Sequence, residues 1–365
     1  MIVYHMLDYI HESPAALDRT LQDNESEIQA VVQKAREMGV DRIVLSGVGS
    51  SFTSCLMAQP LFQMHCPLPT AVINSEESGY YAERWITDKS LVVVVSRSGE
   101  RGAVIDTLKV AEQKGALGVA VTGVADSLLA QSSRLSLITR EGPEITFPKT
   151  KSVVTCTGTL LRLGLALADP QDKTATERLA LLRNMPVIMT DFIERIEPQL
   201  AKLMPRIAAH KLVNVVGTGS NHGAALEAAI KIQEASYVPT RGDSTAGLLQ
   251  GPVGALNPDW MVYALVLPQD LELTRQLLTL TKGFKAYNLA VHPEGLDLAG
   301  LADDEILTPP FDDPYLAALA YLPAVQLLAY YWTVKRGMNP DAPSSMNSIL
   351  EAILPPGRQE PELRK

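Results

Sequence analysis

The chain has 365 residues, of which 46% are hydrophobic and 20% charged, with a formal net charge of -9. That length and composition suit two globular domains with real cores and exclude extensive disorder. The acidic balance offers no broad basic face for a nucleic-acid backbone, so only a local anion site is compatible with it.

The three cysteines, Cys55, Cys66 and Cys156, have no metal-ligand spacing and are expected to be buried or incidental thiols of a reducing compartment. The six histidines form no His-x-x-x-His pair, so no metal is called for. The N-terminus lacks the basic-then-apolar pattern of a secretory signal, and no segment reads as apolar over the length a bilayer needs. A cytoplasmic protein without membrane attachment is the expectation.

Helical periodicity over residues 15–39 (Leu17, Leu21, Ile28, Val31, Val32, Ala35) opens the chain and ends near Gly39. Strands and helices then alternate: strand 43–45, helix 51–65, strand 69–73, helix 75–84, strand 91–95, helix 103–114, strand 118–122, short helix 127–132, strand 135–138 and helix 152–167. After a loop at 169–174, a helical stretch over 176–210 is placed to bridge two domains. A second alternation follows, with strand 212–216, helix 222–237, strand 261–267, helix 271–283 and strands 286–290 and 306–308. The apolar run from Tyr315 to Val334 reads as a core or subunit-interface helix rather than a membrane span. This βαβα rhythm predicts parallel sheets covered on both faces.

Gly47-Val48-Gly49-Ser50 recurs as Gly217-Thr218-Gly219-Ser220, 170 positions later and again between a strand and a helix. Duplication of one doubly wound unit is the economical explanation. The expected fold class is therefore α/β, with two doubly wound, flavodoxin-like parallel-sheet domains in tandem. The expected divisions are 1–40 (leader and helix), 41–170 (first domain, holding the anion site), 171–210 (linking helical segment), 211–350 (second domain) and 351–365 (tail).

Two serine-bearing loops follow strands in the first half, Ser46-Gly47-Val48-Gly49-Ser50-Ser51 and Ser96-Arg97-Ser98-Gly99-Glu100. Each opens a helix, so each presents unpaired amides and the positive end of the helix dipole, with hydroxyl donors beside them. A dinucleotide fingerprint would need a third glycine where Phe52 and His222 stand, and no lysine follows a glycine as in a Walker loop. No cofactor is implied. The loops are read as a phosphate trap, whereas the second Gly-x-Gly loop, with one serine and no partner of the Ser96-Arg97-Ser98 kind, is as readily a plain tight turn.

The run Ser96-Arg97-Ser98-Gly99-Glu100 resembles the Ser-x-Ser-Gly-Glu signature of the sugar isomerase (SIS) family of phosphosugar-binding domains. His11-Glu12-Ser13-Pro14, Ser50-Ser51, Glu144-Ile145, Thr150-Lys151, Ala225-Leu226-Glu227, Lys231, Glu234-Ala235-Ser236-Tyr237, Gly251-Pro252 and Asn339-Pro340-Asp341-Ala342-Pro343 fall in the same order as in tandem SIS proteins, of the kind found in the isomerase half of glucosamine-6-phosphate synthase. No glutaminase segment or N-terminal cysteine nucleophile is expected to accompany them.

The resemblance implies that Gly49, Ser50, Ser51, Ser96, Ser98 and Lys151 bind a phosphorylated sugar, with Arg97 and Arg101 as further candidate ligands, and that Glu234 is the base, with Lys231 and Gln250 as the other candidate catalytic residues. It also implies a homodimer. Arg97 and Arg101 stand where that synthase has glutamine and threonine; Arg97 is open to binding phosphate, meeting a substrate carboxylate or being solvated. Glu227, Lys231 and Glu234 are spaced for one helical face, so a plain surface ladder is the alternative for the first two.

Two departures bear on the reaction. Gln250 stands where the synthase has a histidine associated with ring opening, and glutamine cannot shuttle a proton. Ser348 stands near the place of its Schiff-base lysine, and no lysine occurs between Lys335 and Lys365. His65, His222 or unaided opening would then serve the ring. The leading expectation is cleavage of the C–N bond of a 6-phosphorylated amino sugar or sugar–amino acid conjugate (a deglycase of the fructosyl- or glucosyl-lysine type, or a deaminase). An aldose–ketose phosphosugar isomerase and a non-catalytic phosphosugar-binding protein are the alternatives.

Overall fold

A computed structural model describes residues 4–345, apart from the side chains of residues 81–83. Position 348 and the 351–365 tail lie outside the described residues. Among them the elements run, in order, α1 (His5–Asp23), α2 (Glu25–Glu37), β1 (Arg42–Gly47), α3 (Ser50–His65), β2 (Thr70–Asn74), α4 (Ser78–Trp85), β3 (Ser90–Val95), α5 (Gly102–Gln113), β4 (Leu117–Thr122), α6 (Leu128–Gln131), β5 (Leu135–Ile138), α7 (Lys151–Leu167), α8 (Lys173–Ile207), β6 (Leu212–Gly217), α9 (Ser220–Ser236), β7 (Thr240–Ser244), α10 (Thr245–Leu249), β8 (Trp260–Leu265), α11 (Leu271–Gly283), β9 (Tyr287–Pro293), β10 (Asp304–Thr308) and α12 (Ala317–Lys335). They sort into two compact units. The first is built on Glu12–Ile145 and Lys149–Pro186, and the second on Val187–Pro343 with Thr146–Pro148 and the chain's start through His11.

In the first unit all five strands are parallel, in the order β2-β1-β3-β4-β5. The central strands β3 and β4 are buried at every residue, which explains their unbroken apolar runs. One core layer joins Val92 and Val94 to Val104, Ile105 and Leu108 of α5. The second unit repeats the topology as β10-β9-β8-β6-β7, again parallel. Counted within each unit, both sheets have the order 2-1-3-4-5, so the duplication seen in the loops extends to the whole fold. In both, the chain reverses direction between the first and third strands, and the crevice above their C-terminal ends is where such sheets take ligands.

Several elements differ from the sequence reading. The N-terminal helical region starts at His5 and is broken into two helices at Asn24, whose side-chain amide donates to Ile138 O and whose Oδ1 accepts the Ile138 amide. Strand β7, Thr-Arg-Gly-Asp-Ser, was not expected. It is an edge strand paired only to β6, so it needs none of the apolar character that marks a central strand. By length and composition α12 is apolar enough to cross a membrane, contrary to the expectation that no segment has that length. Yet 89% of its apolar window is buried within the fold, with Tyr321 and Trp332 almost wholly covered. It is a core helix packed against α9.

Candidate active site

The first unit carries the serine loops at the switch point. Gly47 lies in contact with the first turn of α3: a Cβ there would sit 2.8 Å from the Ser51 carbonyl carbon. Gly49 has φ 56°, which only glycine adopts without strain, and it sets Ser50 and Ser51 as the first residues of α3, half-buried beside that helix's positive end. β1 pairs directly with β3, with Ser46 opposite Val94, so the second serine loop leaves the sheet on the neighbouring strand.

That second loop is shaped by what its carbonyls do. Arg97 O accepts from the Gly123 amide (3.0 Å) and the Thr122 hydroxyl (3.1 Å), and Gly99 O accepts from the Leu129 amide (2.9 Å). Because each peptide is planar and trans, the amides of Ser98 and Glu100 point the opposite way, away from β4 and α6. The Gly99 amide donates to Ser96 Oγ at 3.2 Å, which leaves the Ser96 hydroxyl proton for a further acceptor. Glu100 Oε1 accepts from the Leu128 amide, so this acid caps α6 rather than facing the nest. Ser96 and Ser98 are themselves 5% and 7% exposed, so hydrogen bonds they donate face little competition from water. Arg101 is half-buried at the N-cap position of α5.

Arg97 turns inward. Its side chain is 10% exposed and its Nε lies 3.8 Å from Oε1 of Glu141, itself 1% exposed. This buried pairing settles the sequence alternative of a solvated arginine. Glu141 reaches the pair from beyond β5 across the end of β4, and the room it uses is provided by Gly123: a Cβ there would lie 2.0 Å from Glu141 Oε1. Burial pushes the Glu141 carboxyl above its ordinary range against Thr139, its own amide and Arg97. Gly123→Ala is expected to displace this buried carboxylate, lower stability by about 1–3 kcal/mol and weaken phosphate-ligand binding. Thermal melts and a ligand titration on the variant check both effects.

Two further carboxylates surround the N-terminus of α7. Glu144 accepts from the amides of Thr150 (2.6 Å) and Lys151 (3.0 Å) and from the Thr150 hydroxyl (2.9 Å). Its burial alone would raise its pKa, but Lys149, Ser152, the Thr150 amide and Arg97 together bring it below the ordinary value. Lys151 is buried, with its Nζ 2.6 Å from Oε2 of Glu12. Among the residues named from sequence as phosphate ligands, Lys151 thus already has a carboxylate partner within the first unit.

In the second unit Glu227, Lys231 and Glu234 share one face of α9. Lys231 Nζ lies 2.6 Å from Glu234 Oε2 and 3.6 Å from Glu227 Oε1, with side-chain exposures of 1% for Lys231, 0% for Glu227 and 30% for Glu234. This is a buried charge triad with one carboxylate reaching solvent, not the surface ladder that spacing alone allows. Gln250 is exposed at the C-cap of the separate helix α10.

The two histidines considered for ring opening lie in different units. His65 is fully buried at the far end of α3, about 22 Å from Ser50 along the helix. Its Nδ1 is 2.7 Å from Asp172 Oδ2 and its Nε2 meets the Arg178 guanidinium. His65 is a structural tie between α3 and the start of α8. His222 is half-buried in the first turn of α9, about 18 Å along that helix from Glu234. Burial lowers its pKa, with Asp243 opposing. The three cysteines are buried, and burial pushes the Cys66 thiol up to about 12.

The second switch point repeats the backbone of the first with different chemistry. Gly219 has φ 60° and ψ -125°, matching the 56° and -127° of Gly49. Ser220, the counterpart of Ser50, is wholly buried, donates to Pro314 O at 2.7 Å and accepts from the Ala318 amide. Asp270, which no sequence pattern singled out, is 6% exposed and accepts from the Leu267 amide at 2.7 Å through Oδ1, while the Thr218 hydroxyl donates to Thr245. Burial pushes its carboxyl up to about 6, with the Leu267 amide opposing. A folded-state pKa above the unfolded one stabilises the protein below pH 4, and that contribution is lost as pH rises through about 6. Asp270→Asn is therefore expected to raise stability by about 2–3 kcal/mol at pH 8 and by little at pH 4, measured by denaturant titration at the two pH values.

Residues 22–167 match the family profile described as the SIS domain. Over 346 residues the chain is 26% identical to a glutamine–fructose-6-phosphate aminotransferase (isomerizing) from Thermococcus kodakarensis, covering 94% of this chain and 57% of that protein. The chain thus spans little more than half the length of the curated relatives it matches. Among solved structures, the C-terminal domain of glucosamine-fructose-6-phosphate aminotransferase from Francisella tularensis superposes with a TM-score of 0.81 at 19% identity, covering 94% of this chain and 99% of that one. A glucosamine-6-phosphate deaminase from Thermotoga maritima does so with 0.75 at 22% identity, covering 93% and 97%. At these identities the structural likeness speaks for the fold: two SIS-like α/β domains.

Proposed function

We propose that the protein is a phosphosugar-processing enzyme that cleaves the C–N bond of a 6-phosphorylated amino sugar or sugar–amino acid conjugate. Glucosamine 6-phosphate and fructosyl-lysine 6-phosphate are its model substrates. Ser50, Ser51, Ser96 and Ser98, with the outward amides of their loops, take the phosphate. Glu234 moves a proton between C1 and C2 of the open-chain sugar, turning the amine-bearing carbon into an imine. Water adds to that imine and the amine leaves.

The observation that carries this reading is the Lys231–Glu234 pair. A carboxylate in partial contact with solvent, held at 2.6 Å by a buried Lys231 side chain, is oriented as a base must be. No lysine between Lys335 and Lys365 is available for a Schiff base with the sugar, which favours a substrate that brings its own nitrogen. The buried pairing of Arg97 with Glu141 supports a role beneath the phosphate loop more than a clamp on an amino-acid carboxylate. A homodimer in the cytoplasm is part of the same proposal.

The test is incubation with glucosamine 6-phosphate, fructose 6-phosphate and fructosyl-lysine 6-phosphate, following ammonia, lysine and sugar phosphates. Ammonia or lysine release supports C–N cleavage. Interconversion of sugar phosphates alone replaces it with an isomerase, and binding without turnover replaces it with a phosphosugar sensor.

A further inference from the structure

The first unit has a cavity of about 260 Å³ between α4 and α5, outside the serine loops. It is smaller than the sites that take drug-sized ligands, so it suits a small group. Its inner wall adjoins the first serine loop: β2 ends at Asn74 opposite Gly47, and the next residue, Ser75, has its Oγ 2.8 Å from Ser46 Oγ. The hydroxyl protons of this wall are all spent on the protein. Ser46 donates to Ile73 O, so Ser75 donates to Ser46; Ser78 donates to Ser75 O; and Thr107 divides its proton between Ala103 O and Ser78 Oγ. These side chains therefore offer the cavity only oxygen lone pairs. Glu76 and Asp106 add two exposed carboxylates, and Ile86 and Val110 an apolar surface. Among the described residues that line the cavity there is no lysine, arginine or histidine. Lys109, further along α5, lies 3.6 Å from Asp106 Oδ1 in an exposed pair, which holds weakly.

We propose that this cavity binds a primary alkylammonium group. Its N–H donors meet the oxygen wall and the two carboxylates, and its methylenes lie against Ile86 and Val110. The same charges repel an anion, and a neutral alcohol forgoes the charge-assisted bonds. Two sources carry that chemistry: the amine end of a bound sugar–amine conjugate, and a free amine such as lysine. The first source rests on the C–N cleavage reading; the second does not.

The experiment titrates the full chain with n-butylamine and with n-butanol by calorimetry. Saturable binding of one amine per chain is expected, with the alcohol bound at least about tenfold more weakly. Glu76→Gln with Asp106→Asn, both at exposed positions, is expected to weaken the amine about tenfold. Glu272→Gln with Asp297→Asn removes the same charge from exposed positions of the second unit and is expected to leave binding unchanged. Equal amine affinity in the wild type and the Glu76/Asp106 variant, or an equal loss in the Glu272/Asp297 variant, would overturn the proposal. Kinetics of the Glu76/Asp106 variant separate the two sources. A raised KM for fructosyl-lysine 6-phosphate, with that for glucosamine 6-phosphate unchanged, assigns the amine end of the conjugate. Unchanged KM for both, with butylamine binding weakened, assigns a free amine. Failure of the C–N cleavage reading shows separately, as no turnover of either sugar by a wild-type protein that still binds butylamine.

Discussion

Lys231→Met is expected to lower stability by about 3–5 kcal/mol, because it strands a buried carboxylate without its counter-ion. Glu227 is wholly buried, with its Oε1 3.6 Å from the ammonium, and methionine preserves the volume while removing the charge. At about 2–4 °C per kcal/mol for domains of this size, the melting temperature should fall by on the order of 10 °C. Pairing the change with Glu227→Gln removes the stranded charge and should recover most of the loss. A single variant as stable as the wild type would mean that the triad is not held together by charge.

Glu234→Gln is expected to lower kcat by about a hundredfold to ten-thousandfold, the range a positioned base supplies, and to leave KM close to the wild-type value. The split follows from where the groups sit. The phosphate is assigned to serines and amides of the first unit, so losing a proton acceptor on α9 should not loosen it. Structural damage is not expected either, since Glu234 is 30% exposed and Lys231 keeps Glu227. Steady-state kinetics on the substrate that turns over best would show this. A variant with unchanged kcat would remove Glu234 from the mechanism.

Much of the fold was legible because its signals are local. The buried runs at 91–95 and 212–216 and the two Gly-x-Gly-Ser turns gave both sheets and their duplication. Strand β7 was not legible, since an edge strand of polar residues is specified by its neighbour β6 rather than by its own pattern. The serines of the candidate site could be read from position alone, because a strand-to-helix turn dictates which way its amides face. Arg97 could not. Its direction depends on Glu141 and on the missing Cβ of Gly123, both distant in sequence and carrying no motif. Similarly, the Glu227–Lys231–Glu234 spacing fits an exposed ladder as well as a buried triad, and only tertiary packing of α9 decides between them. Asp270 escaped notice because one aspartate after a proline looks like any helix start.

Hydrogen exchange at the sugar carbons in heavy water tests the central claim most directly, since deaminase, deglycase and isomerase chemistry all pass through the same proton transfer. Glucosamine 6-phosphate, fructose 6-phosphate and fructosyl-lysine 6-phosphate would each be incubated with the protein in D2O and followed by proton NMR. The account predicts loss of the C1 or C2 proton signal in at least one of them. That loss should be abolished by Glu234→Gln and slowed at low substrate by Ser96→Ala with Ser98→Ala. Saturable binding of these sugars with no exchange at either carbon would contradict it.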